Sequence, residues 1–384
     1  MLTYKNEWND IEETNELAEN VKTSITVIVP ARNEAKTISI LLHDILAQNY
    51  PKELFDVVVI DDHSEDETFE ISLQFAKNNS QIKVYKLNEL IPTFETTTAY
   101  KKRAIEAAVN LAKGDLIITT DADCRVQKNW LRSIATLYEK QHAKLIAAPV
   151  CFQNEQSYFQ KFQSLDFCGM QAITGASLNM EIFNMANGAN LAYEKKAFLE
   201  VNGYQDIDEK ASGDDMLLVY KIAQKYPEHI RFLKDKNAIV YTHPTTTVSE
   251  FLQQRFRWTS KSTSYQDKRI TWILGLVYLF VFSIWMNAFY FFGRLAYTSI
   301  FPDHTVYGLL GFLNSTLFFI LFIFQVFCKS VVDYFFLKSA SSFFNRLDLM
   351  KTFFISEVLH IWYIPFVGTF GNILNYKWKG RELK

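Results

Sequence analysis

The sequence predicts an α/β domain built on a parallel sheet, followed by helices that cross a membrane. Three observations carry this reading. Short β-branched runs alternate with amphipathic stretches from Ser24 to Thr120, paired aspartates fall where two of those runs end, and charge disappears from two long segments in the last third. Apolar strands alternating with helices belong to sheets covered on both faces, joined by right-handed crossovers.

The elements follow in order. The segment from Met1 to Thr23 is polar and acidic, without the apolar core of a secretory signal or leading anchor. Ser24 to Pro30 (SITVIVP) reads as the first strand, and Ile38, Leu41, Leu42 and Ile45 lie at helical spacing within Glu34 to Gln48. Phe55 to Ile60 repeats the strand pattern and runs into Asp61 and Asp62, before a helix from Asp66 to Lys77. Ile82 to Leu87 is a third strand, Ala99 to Ala112 a helix, and Leu116 to Thr120 a fourth strand that ends in Asp121-Ala122-Asp123. Open α/β sheets bind ligands at the carboxyl ends of their strands, so Arg32, Asn33, Glu34, Asp61, Asp62, Asp121 and Asp123 share one rim. Two carboxylates one residue apart suit a hard divalent ion that shares its shell with substrate phosphates. A short D-x-D string is also common at solvated strand ends, so its company decides.

Across 384 residues, 40 basic and 42 acidic side chains leave a formal charge of -2, which offers no global field for nucleic acid. Cys124, Cys151, Cys168 and Cys328 are scattered, fitting neither a disulfide framework nor a zinc site, and a reducing compartment is expected. The 33 Phe and 19 Tyr concentrate late in the chain. Ile270 to Gly293 has no charge over 24 residues, a helix of about 36 Å against a hydrocarbon core of about 30 Å. Thr305 to Cys328 is a second such run. A third, Phe353 to Tyr376, carries Glu357 and His360 and is interrupted by Pro365, Gly368 and Gly371, so a broken or interfacial helix is expected. Arg255, Arg257, Lys261, Lys268 and Arg269 precede the first run. Lys329, Lys338, Arg346 and Lys351 follow the second, and Lys377, Lys379, Arg381 and Lys384 lie in the tail. The positive-inside rule makes all three regions cytoplasmic. The expected organisation is a polar segment over 1–23, a catalytic domain over 24–266 and a multi-pass membrane region over 267–384.

These residues resemble glycosyltransferase family 2, inverting transferases of GT-A fold, a Rossmann-like domain that uses nucleotide-diphosphate sugars. Ile25 to Glu34 (ITVIVPARNE) is similar to the family's opening strand and loop. Val57 to Thr68 (VVVIDDHSEDET) is similar to its nucleotide-binding segment, and Lys101 to Ala104 with GDLIITTDADC to its lysine helix and metal motif. Gly213-Asp214-Asp215 resembles the acidic catalytic motif, which is commonly Thr-Glu-Asp or Glu-Asp, and Gln254 to Trp258 (QRFRW) matches QxxRW. The ordered set spans about residues 24 to 260. Trp378-Lys379-Gly380-Arg381 resembles the tail of smaller members that glycosylate lipids, of the ceramide glucosyltransferase kind.

The resemblance implies that Pro30, Arg32, Glu34, Asp61, Asp62, Lys101 and Asp121 meet the nucleotide, with a uridine donor suggested. It implies that Asp121 and Asp123 hold Mg²⁺ or Mn²⁺, with His243 as a further candidate ligand. Asp215 is then the base that takes the acceptor's proton, while Asp214 caps or supports its helix. Gln254, Arg257 and Trp258 lie on one helical face within Val248 to Tyr265, where Arg257 suits diphosphate and Trp258 the acceptor or sugar. The bland alternative is an interfacial helix whose Arg255, Arg257 and Lys261 touch anionic lipid. Asn187 to Tyr193 (NGANLAY) is expected on the acceptor side, or as turn residues. Transfer to a lipid or lipid-linked acceptor is the expected activity. A processive polysaccharide synthase and an inert membrane-anchored sugar-nucleotide-binding protein are the alternatives.

Overall fold

The computed structural model describes residues 1–14, 16–91, 99–183, 185–205, 213–261, 265, 267–300, 308–378 and 381–383, with backbone alone at 308–313, 377–378 and 381–383. The elements are α1 (Leu2–Asp10), β1 (Ile25–Ala31), α2 (Ile38–Leu46), β2 (Phe55–Asp61), α3 (Thr68–Asn78), β3 (Ile82–Lys86), α4 (Leu87–Leu90), α5 (Tyr100–Leu111) and β4 (Leu116–Thr119). Then come α6 (Trp130–Gln141), β5 (Leu145–Ala147), β6 (Val150–Phe152), α7 (Tyr158–Asn179), β7 (Leu191–Glu194), α8 (Lys195–Glu200), α9 (Asp214–Lys225), β8 (Ile230–Phe232) and β9 (Val240–Thr242). The chain continues through α10 (Val248–Thr259), α11 (Lys268–Ile300), α12 (Gly308–Phe343) and α13 (Phe353–Phe370) to β10 (Tyr376–Trp378) and β11 (Arg381–Leu383).

Seven strands form the main sheet in the order β3-β2-β1-β4-β7-β5-β8. β1 to β4 pair in parallel, as their apolar runs predict, and Val27, Val57 and Ile118 are wholly buried. The sheet is nevertheless mixed, because β7 runs antiparallel to both β4 and β5. The β7 hydrogen bonds lie beside β4, so the chain from Asn187 onward is held against the same sheet edge as Asp121. Gly114 enters β4 so close to β1 that a Cβ would stand 2.4 Å from the Thr26 nitrogen, and only glycine fits there.

Packing runs across the boundaries expected at 23 and 267. In α1, Trp8 is buried in the main core, edge-on to Phe232 at 5.7 Å and to Phe343 at 5.4 Å. Trp8, with Tyr4 and Ile11 packed on the same core, anchors an otherwise polar segment. Phe336, Ala340, Phe343 and Phe344 of α12 and its following turn join the same core. The long helix α12 thus leaves the apolar hairpin and ends inside the catalytic domain.

Among the described residues three helices are long and apolar enough to cross a membrane: Lys268–Ile300, Asn314–Phe343 and Leu347–Phe370. The third segment is not broken at Pro365. Proline removes the hydrogen bond to the carbonyl four residues earlier, and that carbonyl, on Ile361, accepts instead from the Trp285 indole of α11 at 3.0 Å. With the orphaned acceptor satisfied, α13 continues to Phe370. The expected second run begins at Thr305, outside the described residues. So do Lys379 and Gly380 of the expected lipid-transferase tail, and Lys384.

Candidate active site

A cavity of about 800 Å³ opens at the carboxyl ends of β1 and β4. Pro30, Arg32, Asp62, Lys101, Asp121, Asp123, Asp215, His243, Gln254, Arg257 and Trp258 all line it. The sheet, the N-terminus of α9 and one face of α10 therefore bring together residues spread over more than half of the sequence.

Each wall has a local cause. After β1, the Arg32 guanidinium donates to the Asp62 and His63 carbonyls at 2.9 and 3.2 Å, bracing one loop against the next. Glu34 and Asp61 do not line the cavity. The Glu34 carboxylate accepts from the Thr37 hydroxyl at 2.8 Å, where α2 begins. Asp61 is buried under its own loop, where Oδ2 accepts from the Ser64 N–H at 3.3 Å and Oδ1 has no hydrogen-bond partner. Asp62 is the member of that pair that reaches the cavity, with His63 Nδ1 2.9 Å from its Oδ1.

The polar centre is an array of alternating charges. Lys101 Nζ stands 2.7 Å from Asp121 Oδ1 and 3.6 Å from Asp214 Oδ2. Burial pushes the Lys101 ammonium towards the neutral form, but Asp121 and Asp214 outweigh it and raise the ammonium above its ordinary value. Burial likewise pushes the Asp214 carboxyl up, and Lys101, Lys261 and Lys102 more than offset this, holding it below the ordinary carboxylate value. Asp215 has other partners: Lys261 Nζ at 3.3 Å, the Gly188 N–H at 3.3 Å and the Met216 N–H at 2.7 Å. The preceding Gly213 sits at φ +86°, a left-handed conformation that glycine adopts freely, and turns the chain into α9 at Asp214.

The NGANLAY segment divides between cavity wall and buried support. Asn187, Gly188 and Ala189 line the cavity, and Asn187 also caps its own turn by accepting from the Ala189 N–H at 3.0 Å. Asn190 is wholly buried, accepting from the Trp130 indole at 2.9 Å and donating to the Pro149 and Ala238 carbonyls at 2.8 Å. Leu191 to Tyr193 are sheet residues.

The donors present fit a shared metal better than a closed metal site. Asp121, Asp123 and His243 face one cavity, yet among the described residues no three His, Cys, Asp or Glu side chains gather as a ready ligand set. A hard cation here would complete its shell with water and substrate oxygens.

The comparisons with known proteins agree with this geometry. Residues 26–198 match Glycosyl transferase family 2, and residues 116–337, more than half of the chain, match Glycosyl transferase family group 2. The chain belongs to glycosyl transferase family group 2. It is 30% identical over 121 residues to the poly(ribitol-phosphate) beta-N-acetylglucosaminyltransferase TarS of Staphylococcus aureus, covering 32% of this chain and 20% of that protein. It is 25% identical over 135 residues to the beta-monoglucosyldiacylglycerol synthase of Trichormus variabilis, covering 35% and 28%. To the probable glycosyltransferase YdaM of Bacillus subtilis it is 23% identical over 322 residues, covering 79% and 73%. The match thus spans a fifth of the length of the first relative and under a third of the second.

The mixed sheet of this family group 2 chain is that of a GT-A fold. Two of its site features escape a reading by motif. Lys261, grouped above with lipid-facing cations, instead points at Asp215; its position four residues after Arg257 was the available signal. Tyr265 also lines the cavity, where burial first and Asp215 second push its hydroxyl up to about 12. Arg255, another of the three supposed lipid contacts, is 3% exposed, and it is absent from the cavity lining.

Proposed function

We propose that this protein is a membrane-bound inverting glycosyltransferase that moves a sugar from a nucleoside-diphosphate donor, UDP-linked in the reading of the Asp62 loop, to a lipid or lipid-linked acceptor. The observation that carries this is the position of the cavity: one wall is α10, whose far side packs on the apolar helix α13 through Phe256 and Val367. An acceptor anchored in a bilayer has a short path to such a site. The relative named as a diacylglycerol glucosyl synthase supports a lipid acceptor, and the one named for poly(ribitol-phosphate) supports a polymer.

In this reading, the Asp215 carboxylate accepts the proton of the acceptor hydroxyl as its oxygen attacks the anomeric carbon from the face opposite the diphosphate. The new carbon–oxygen bond forms, the bond to the diphosphate breaks, and the nucleoside diphosphate leaves with the electron pair. Arg257 meets the charge that grows on the leaving oxygens, and Gln254 and Trp258 flank the reacting groups. Asp121 and Asp123, with His243 nearby, would hold Mg²⁺ or Mn²⁺, which supplies further charge neutralisation at the diphosphate when bound. Lys101 keeps Asp121 and Asp214 in place. Lys261 anchors Asp215.

Three apolar helices and the basic flanks of the first two support a multi-pass membrane protein with its catalytic domain in the cytoplasm. The test is direct. Membranes containing the protein are incubated with a panel of labelled nucleotide sugars, with and without divalent metal, and extracted with organic solvent. One donor should yield metal-dependent, lipid-soluble label. Label found only in an insoluble polymer would favour a processive synthase, and none in any fraction would sink the reading.

A further inference from the structure

The QxxRW helix carries an arginine that the proposed chemistry does not use. Arg255 is almost wholly buried, and its guanidinium forms an ion pair with Asp166 of α7, Nη2 to Oδ2 2.8 Å. Its Cζ lies over the Trp258 ring, 4.4 Å from the centroid, with the Phe251 ring at 4.8 Å and the Tyr363 ring at 5.8 Å. The Tyr363 hydroxyl of α13 donates to the same Asp166 carboxylate at 3.0 and 3.1 Å. Trp258 thus meets both the guanidinium and the ring of Phe167, 6.1 Å away and inclined by 27°, while it lines the cavity. No member of the trio Asp166, Arg255 and Tyr363 lines the cavity.

A buried ion pair adds little net stability, because the cost of desolvating two charges nearly cancels their attraction. Such a pair can still specify one arrangement. Here the arrangement specified is the rotation of α10 about its axis, since Arg255 ties its outer face to α7 and α13 while Gln254, Arg257 and Trp258 occupy the inner one. A planar guanidinium offers an indole a broad face while one of its nitrogens meets a carboxylate, which a point-like ammonium does less well.

We infer that Asp166, Arg255 and Tyr363 are positioning residues: through them the apolar helix α13 sets the orientation of Trp258 and of the cavity face of α10. This rests on the transferase reading above. The trio touches neither donor nor acceptor and acts through Trp258, so its loss should appear in the rate of transfer and leave donor affinity nearly unchanged.

The experiment uses the full chain in membranes, with the labelled donor that the wild type accepts. Arg255→Lys keeps the charge and removes the planar fork; Tyr363→Phe keeps the ring and removes only the hydroxyl. For Arg255→Lys, kcat should fall by roughly tenfold to a hundredfold, the range that small misplacements at a reacting centre produce, with KM for the donor within about twofold of wild type. Tyr363→Phe should shift kcat in the same direction by a smaller factor, again without a change in donor KM, and its conservative change secures the test if Arg255→Lys does not fold. Transfer by the wild type with unchanged kcat in folded Tyr363→Phe and Arg255→Lys would overturn the inference alone. So would a lowered thermal midpoint with full turnover per folded molecule, which is what a merely structural role gives. Absence of transfer by the wild type in the same assay would overturn the functional reading and this inference with it.

Discussion

Asp214 and Asp215 are consecutive in the chain and stand in different electrical surroundings. Asp214 is mostly buried and belongs to the Lys101 side, and its charge is sustained by three lysines against the effect of burial. Asp215 points to the Gly188 N–H and to Lys261, beside the space where an acceptor would lie. First-turn acids suit a helix N-terminus in either case, so capping does not distinguish them, whereas their partners do. Asp215→Asn should lower turnover about 10²- to 10⁴-fold, the range for loss of a general base, with little change in donor binding. Asp214→Asn removes one of the carboxylates that sustain the Lys101 charge, leaving Asp121 in contact and Asp215 nearby, and should act mainly on stability, by about 1–3 kcal/mol for a broken charged contact. Turnover numbers and thermal midpoints of the two variants separate these outcomes. Near-normal turnover in Asp215→Asn would exclude it as the base.

At the scale of elements, the loop after α12 fastens the apolar hairpin to the catalytic domain through one forked contact. Arg346 meets Glu155 with Nη1 to Oε1 and Nη2 to Oε2 both at 2.9 Å, and donates also to the Phe152 carbonyl at 3.0 Å. Burial pushes the Glu155 carboxyl up, but Arg346 and the Ser164 hydroxyl outweigh it and hold the carboxyl below its ordinary value of 4.5. A folded-state value below the unfolded one means that the pair stabilises fully above 4.5 and that this stability is lost as the pH falls through the folded value. The thermal midpoint of the wild type should therefore fall more steeply than that of Glu155→Gln between about pH 5 and pH 3; parallel curves would remove the pair from the account. Such inter-element contacts are what the sequence least reveals. The strands β1, β2 and β4 were legible because four or more β-branched and apolar residues stand together, β3 because Ile82, Val84 and Tyr85 fall in one short run, and α2 because its core positions repeat at helical spacing. β5, β6, β8 and β9 have three residues each, too few to display a period of two. α7 was silent for another reason. Nearly every side of it is covered, including polar residues such as Gln163, which donates to the Thr245 carbonyl at 3.0 Å, so no apolar stripe marks it. The cavity residues were legible as ordered motifs, while Lys261 and the Asp166–Arg255 pair were not, because their meaning lies in partners far along the chain.

For the molecule as a whole, the path of α13 decides how the chain meets the bilayer. Its first residue, Phe353, is buried in the main core against Tyr334, its middle reaches Asp166 through Tyr363, and just past its end a Cβ on Gly371 would stand 2.8 Å from Thr259 of the QxxRW helix. Beyond it, Tyr376 packs on Phe256. We propose that α13, tied to the catalytic domain through Tyr363 and just beyond its end while Ile361 and Trp362 pack on α11, stays on the catalytic side of the membrane. Its outer face, with Phe354, Ile355, Val358, Trp362 and Phe366 exposed, suits the plane of the interface. The hairpin of α11 and α12 is different: its far end stands clear of the catalytic domain, with Tyr297 and Ile300 exposed there. We propose two crossings, with the catalytic domain and the residues just after α13 on the same side. Single cysteines at Glu65, Ser299 and Leu374, in a chain carrying Cys328→Ser, test this with a membrane-impermeant thiol reagent on sealed vesicles of known orientation. Glu65→Cys and Leu374→Cys should be labelled from one side and Ser299→Cys from the other. Labelling of Leu374→Cys from the side of Ser299→Cys would make α13 a third crossing, and it would require the packing of Tyr363 and Tyr376 against the catalytic domain to be undone in the membrane.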